Sequence, residues 1–368
     1  MTVDPDVVVI GGGVIGSAIS LGLAMRGKRV TVLDGADIAH RASRGNFSLI
    51  WVQSKGLGMP GYADWARKAA LSWPVFAEQL ERLSGVDLAF IQPGGLHLTL
   101  SEGELEARKR VFIRLREQCG GVDPYPWEIL DAAQVKRMLP EVGPTVTGAS
   151  YCPLDGQANS LRLLRALHIG GNRSNVSYRP LHIVTTIEHR GGEFVIKTDK
   201  GTFTAGKVVL TAGHDNARLG PMVGLDVPVR PQKGEILVTE KVRPFLYYPT
   251  INVRQTDEGG VQLGDSVEET GFDDTVDLRV LSAIAGRITK MFPLLENVNI
   301  VRTWGALRVM PRDGKPIYDQ SKTCPGAFVA TAHSGVSMAS VHMLEVPRMI
   351  AAGALDAELS CFTSERFQ

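Results

Sequence analysis

The residues of this chain whose types and spacing could do chemistry are three glycines, Gly11, Gly13 and Gly16, the acid Asp34, and far downstream a single arginine, Arg308. The glycines fit a phosphate-binding turn. Gly11 permits the tight turn, Gly13 lets the backbone approach a pyrophosphate, and Gly16, after Val14 and Ile15 of the same turn, lets the helix that follows pack against a sheet. The phosphates would rest on the helix N-terminus, where free N–H groups and the helix dipole favour an anion. Asp34, followed by Gly35, lies eighteen residues beyond Gly16. A carboxylate there can accept both hydroxyls of an adenosine ribose and would repel a 2′-phosphate. Around Arg308, alternation sends Ala306, Arg308 and Met310 to one face, so a charge lies among apolar neighbours and must be paired. A substrate carboxylate gripped bidentately and an internal Asp or Glu are equal candidates for that partner.

The glycines can act this way only between a strand and a helix, and the flanking sequence provides both. Val7, Val8, Val9 and Ile10 form a β-branched run, residues 17–26 read as a helix and residues 29–34 as a second strand. Strand, glycines, helix, strand and acid in that order outweigh the bland alternative of a glycine-rich turn in some other α/β protein. The polar stretch 40–48 leaves the second strand at the carboxyl edge of the sheet, where open α/β sheets bind ligands. There Ser43, Arg44, Gly45 and Asn46 can offer hydroxyl, guanidinium and N–H groups to a pyrophosphate or a ring edge; on its own the stretch would read as a surface loop. Alternation over 50–56 leaves Trp51, Gln53 and Lys55 on one face, with Lys55 as compatible with solvent as with a cofactor. The strand 207–213 runs into Ala212 and Gly213, small enough for close backbone approach to a ligand. The last strand, 328–332, turns through His333, Ser334, Gly335, Val336, Ser337 and Met338 into a closing helix over 339–352, a second positive helix end in the same structure.

The fold class is α/β: a Rossmann-like nucleotide domain (1–84, 145–220 and 305–368) with a substrate domain of mixed β-sheet plus helices (85–144 and 221–304). Residues 62–83 read as a long amphipathic helix whose aromatics belong to the core. Further strands are expected at 88–91, 95–100, 181–188, 193–198, 227–230, 234–239, 247–254 and 261–264. Helices are expected at 104–118, 131–139, 160–168 (capped by Asn159) and 277–291. With 368 residues the chain is long enough for two domains, and a net charge of +1 gives no electrostatic reason to expect nucleic acid or an anionic membrane. No apolar run nears the roughly 20 residues of a membrane span. The N-terminus lacks the basic region and apolar core of a secretory signal, so a cytoplasmic location is expected. Four scattered cysteines without a CxxC pair and eight histidines without metal spacing point to no disulfide framework and no metal.

Taken together, VVVIGGGVIGSAIS, the acid in TVLD, Ala42-Ser43-Arg44-Gly45-Asn46, VVLTAG, GALRVMPRDGKPIY and ATAHSGVSMA resemble, over the whole chain and in order, the FAD-dependent D-amino-acid oxidase family. The resemblance is to the branch with glycine and sarcosine oxidases. Within it, the ASRGN-to-WVQSKG stretch is most similar to the B subunits of bacterial opine oxidases and to D-hydroxyproline dehydrogenase. It implies FAD, bound covalently or not, and oxidation of a C–N bond next to a carboxylate in an amino acid or opine. The hydride would pass from the α-carbon to the flavin, and the imine would hydrolyse to a keto acid and an amine. It adds Val184 to the cofactor contacts. It casts Arg308 as the carboxylate-binding arginine, Tyr248 as close to the active-site tyrosine, and His333 as a catalytic-site residue where glycine oxidase has a Tyr-Arg pair. Cys324 lies outside the position from which sarcosine oxidases attach their flavin. The closer resemblance implies a larger flavoprotein subunit and a small iron–sulfur subunit as partners, with FMN shared with a partner subunit as a further cofactor. Such partners could hold the complex at the inner face of the membrane. A self-sufficient oxidase using oxygen, a nicotinamide-dependent dehydrogenase and an electron-relaying flavoprotein are the alternatives.

Overall fold

The computed structural model describes residues 5–35 and 42–368, so His40 and Arg41 of the polar stretch lie outside the described residues. Val7–Ile10 is buried along its whole length, as befits a β-branched run in the middle of a parallel sheet covered on both faces. Its six-stranded sheet runs Ile317–Gln320, Ala327–Thr331, Lys207–Leu210, Val7–Ile10, Val30–Leu33, Ser177–Arg179. All neighbours are parallel except the edge strand Ile317–Gln320. The alternate residues of the central strand face two different cores. Val7 and Val9 pack with the helix Val14–Ala24 and the long helix Pro60–Ser84. Val8 and Ile10 pack, with Ile187, Phe194 and Ile196, under the antiparallel strands Val184–Arg190, Glu193–Thr198 and Gly201–Ala205.

A second body is built on the pairing of two long antiparallel strands, Val229–Lys241 and Ile300–Pro311, in a register that sets Arg308 opposite Gln232. Gly260–Leu263 and Val253–Gln255 extend that sheet. A parallel bridge from Leu96 to Thr250 joins it to the sheet of Gly95–Thr99, Gly148–Cys152 and Glu128–Asp131, making the whole mixed. The helix Leu278–Met291, capped by the Asp277 side chain, lays Leu281, Ile284, Ile288 and Met291 over Leu237, Val261 and Leu263.

The elements differ from expectation where long-range contacts override local pattern. Residues 88–91 form no strand; Ile91 makes one bridge to Gln157. The strands expected at 227–230 and 234–239 are one, because the buried Lys233 between them is held by Glu235 and Glu268, each at 3.0 Å. Of the strand expected over 247–254, only Val253–Gln255 forms. The closing helix is two helices, Ala339–Leu344 and Val346–Ala352, divided at Glu345; Pro347 just beyond cannot donate a helical hydrogen bond. Gly148–Cys152 pairs within the mixed sheet, whereas Phe112, Leu115 and Tyr125 pack in the core of the nucleotide side.

Candidate active site

A continuous cavity of about 750 Å³ runs from the glycine turn to Arg308, within the roughly 300–1,000 Å³ of sites that enclose an organic ligand. At one end Gly11 sits at φ +106°, and a Cβ there would lie 2.4 Å from the Thr211 carbonyl oxygen. Gly16 is needed for packing: its Cβ would meet the Gly11 carbonyl at 1.9 Å, which closes the helix onto the strand. Gly13 is different. Its backbone is ordinary (φ −70°), and a Cβ would approach only the rotatable Ser43 hydroxyl, at 2.9 Å, and the Ser43 Cβ beyond it. The protein's own packing barely requires a glycine there, and the space a side chain would take opens into the cavity. Asp34 holds this end in register: its Oδ2 accepts from the Gly12 N–H and from the Tyr178 hydroxyl, each at 3.0 Å. The first helical N–H, that of Val14, donates to Ser43 Oγ at 3.0 Å.

The two ends share a wall. The short helix Ala42–Gly45 lies on the arginine strand, with Trp304 Nε1 donating to the Gly45 carbonyl at 3.1 Å. Along that strand the Arg308 guanidinium, mostly buried, lies against Gly234. Its Nη1 donates to the Lys233 carbonyl at 3.0 Å and its Nη2 to Asp265 Oδ2 at 2.9 Å. Asp265 also lines the cavity, and burial raises its pKa against the pull of Arg308. Opposite, Lys55 Nζ and the Tyr62 hydroxyl both donate to Ser334 Oγ, at 2.9 and 3.2 Å. Enclosure by the cavity walls, then the charges of Lys55 and Arg308, push His333 down to about 3, so its imidazole is neutral although solvent reaches it.

Of the residues singled out in the sequence, Gly11, Gly13, Val14, Ile15, Asp34, Gly35, Ser43, Gly45, Asn46, Val184, Ala212, Gly213, Arg308, His333, Gly335, Val336 and Ser337 line this one cavity. Gly16 packs behind it, Arg44 is exposed outside it, and Met338 is fully buried in the core beneath the closing turn. The structure does not bring Tyr248 to the cavity; its ring packs against Tyr247 and Tyr151 at 5.2 and 6.3 Å on the mixed-sheet core. Of the two partners expected for Arg308, the structure shows the internal acid, Asp265, and leaves the side chain lining the cavity. Sequence reasoning missed Gly12, whose Cβ would strike Asp34 and the Tyr178 ring within 2.6 Å, and Tyr178, Thr211, Ser334 and Asp265. Gly12, Thr211 and Ser334 sat inside stretches already read; Tyr178 and Asp265 carry no local signal. Among the described residues no cluster of His, Cys, Asp or Glu could hold a metal ion, and no helix is long and apolar enough to cross a membrane.

Residues 6–344 match the model of one family, DAO, described as FAD dependent oxidoreductase. Among the B subunits of opine oxidases, that of Agrobacterium tumefaciens (strain Ach5) is 43% identical over 362 residues, covering 98% of this chain and 97% of that protein. Glycine oxidase of Geobacillus kaustophilus (strain HTA426) is 28% identical over 340 residues, 90% of this chain and 89% of that one. The crystal structure of glycine oxidase from Geobacillus kaustophilus superposes with a TM-score of 0.88 at 25% identity, covering 98% of each chain.

Proposed function

The chain belongs to the DAO family of FAD-dependent oxidoreductases, and on that premise we propose that it oxidises the C–N bond of an amino acid or N-substituted amino acid, an opine, a D-hydroxyproline or a similar compound. The observation that carries this reading is the continuity of one cavity from the glycine turn and Asp34 to Arg308, Lys55 and His333. When bound, FAD supplies the acceptor for the hydride lost by the α-carbon. The chain does the rest. Asp34 is set to take the ribose hydroxyls, Gly13 and the Val14 end of the helix to take the pyrophosphate, and the closing turn 333–337 to border the ring. Arg308 is set to orient the carboxylate so that the α-hydrogen faces the ring. The imine released hydrolyses to a keto acid and an amine.

The 43% identical relative is one subunit of an opine oxidase by name, which supports a multisubunit enzyme. This chain carries no iron–sulfur motif of its own, so a larger flavoprotein and a small iron–sulfur protein, with FMN shared between this chain and a partner subunit, are the proposed route for electrons. The test is anaerobic: the purified yellow protein is mixed with N-alkyl amino acids, opines, D-amino acids and prolines, and flavin bleaching is followed. Reduction by one of these classes, with slow reoxidation by oxygen alone, is expected. Fast turnover of the isolated chain on oxygen would point to a self-sufficient oxidase, and no bleaching by any amine would defeat the proposal.

Asp34→Ala is expected to weaken FAD binding by roughly 10- to 100-fold without abolishing it, since charge-assisted hydrogen bonds are worth about 1.5–3 kcal/mol. Flavin titration of the apoprotein measures this. An unchanged affinity would move the ribose away from Asp34.

A further inference from the structure

Resting on the activity proposed above, we infer that Lys55 is the base that takes the proton from the substrate's ammonium before the C–N bond is oxidised. An amino acid or secondary amine arrives protonated at neutral pH, and the carbon next to it cannot release hydride until the nitrogen has its lone pair. One N–H bond of the substrate breaks, one forms on Lys55 Nζ, and the electron pair stays on the substrate nitrogen, where formation of the C=N bond consumes it.

Position singles Lys55 out. It lines the same cavity as Arg308 and His333. Four other ionisable groups that line it are unsuited. Asp265 is engaged by Arg308 at 2.9 Å. His333 is too weak a base to hold a proton at neutral pH. Asp34 lies at the ribose end, bonded to Gly12 and Tyr178. Arg218 is paired with Asp215 at 2.8 Å. Lys55, by contrast, has no carboxylate in contact among the described residues; its Nζ bond is to the Ser334 hydroxyl at 2.9 Å. That hydroxyl also accepts from Tyr62, so its own hydrogen is turned elsewhere and it leaves Lys55 in a fixed direction.

The groups facing Lys55 from every side are compatible with a neutral amine. The Tyr62 ring lies 5.8 Å from Nζ, and burial holds its hydroxyl protonated, pushed up to about 12. Tyr125 donates to the Lys55 carbonyl at 3.1 Å, and burial raises its pKa too. Arg108 donates to the neighbouring Ser54 hydroxyl at 2.7 Å. Asp155, fully buried, spends its carboxylate on the Val52 N–H and on Gln53 Nε2. Burial pushes that carboxyl up to about 7 and pushes the Lys55 ammonium down to about 8, Asp155 opposing the second shift. The sign is favourable. A lysine so lowered is an appreciable fraction neutral near pH 7 and accepts a proton there, while an ordinary lysine near 10.4 is spent.

The test uses the holoenzyme. Wild-type flavin reduction at low amine concentration is expected to rise with pH through an inflection near 8. In Lys55→Met, with FAD content matched, that inflection should vanish, the rate at pH 7 fall at least about 100-fold, and the remaining pH dependence follow the basicity of each amine used. Lys55→Arg should fail like the methionine variant, because it keeps the charge and cannot accept the proton. A readout independent of turnover is acetylation by acetic anhydride, mapped by mass spectrometry. Lys55 should reach half its limiting rate near pH 8, well below the ordinary lysine value of about 10.4. An unshifted profile in Lys55→Met, or acetylation of Lys55 with the pH dependence of an exposed lysine, overturns the role of Lys55 and leaves the activity standing. Failure of every amine to reduce the wild type overturns both.

Discussion

Gly13→Val is expected to fold as the wild-type apoprotein does and to hold no stoichiometric flavin. The two halves of that result come from different observations. Gly13 has an extended backbone that any residue adopts, and a Cβ there reaches only the Ser43 side chain, 2.9 Å away at its hydroxyl. The valine methyls would project into the cavity where a pyrophosphate must come within hydrogen-bonding distance of the turn. Losing two charge-assisted hydrogen bonds at about 1.5–3 kcal/mol each weakens binding by roughly 10²- to 10⁴-fold. Gly11→Val is the contrasting variant. With φ at +106° and the Thr211 carbonyl 2.4 Å from its Cβ, it should lose the fold as well, as a lower melting temperature of the apoprotein. Recovery of Gly13→Val with one flavin per chain would sink the assignment of the turn.

For Arg308, the expected result is a loss of about 2–5 kcal/mol of transition-state stabilisation in Arg308→Ala, read as single-turnover flavin reduction with FAD content checked first. Lysine should rescue poorly, since a point charge cannot reproduce a planar fork. The ion pair with Asp265 makes a sharper experiment possible. If Arg308 only neutralised Asp265, then Asp265→Asn and Arg308→Lys would disturb the enzyme alike. If Arg308 grips a substrate carboxylate, Asp265→Asn removes a competing negative charge and should leave binding of an anionic substrate equal or tighter, while both arginine variants weaken it. Wild-type affinity and reduction rate in a flavin-replete Arg308→Ala would take the carboxylate away from this residue. Neither Arg254, bonded to Gln262 and buried, nor Arg312, stacked on Phe367, lines the cavity to inherit it.

What was legible in the sequence is what the chain builds locally. The turn at 11–16, the acid at the end of the second strand and the small residues closing the strand Lys207–Leu210 each sit within one strand–turn unit, where backbone periodicity and steric need are written in consecutive residues. The partners of those residues were not legible. Tyr178 reaches Asp34 because Ser177–Arg179 pairs beside Val30–Leu33, and nothing in Ser-Tyr-Arg announces that edge. Asp265 meets Arg308 across the sheet, and Ser334 meets Lys55 and Tyr62 only after the closing turn has folded back. For Tyr248, resemblance gave a place along the chain, and the packing of its ring against Tyr151 could not be read from that place.

The order of strands in the six-stranded sheet has a consequence for how the molecule comes into being on the ribosome. Val7–Ile10 pairs on one side with Val30–Leu33, made soon after it, but waits on the other for Lys207–Leu210, and that strand in turn waits for Ala327–Thr331. At roughly 5–20 residues per second, the first open edge persists for on the order of 10–40 s. During that interval an apolar, four-residue parallel template with unpaired N–H and C=O groups is exposed to any other nascent strand. The nucleotide pocket, whose floor is that same edge, therefore cannot be offered to its cofactor by a growing chain. Flavin capture is a late event, and yield in the cell should respond to chaperone supply and synthesis rate before it responds to flavin supply.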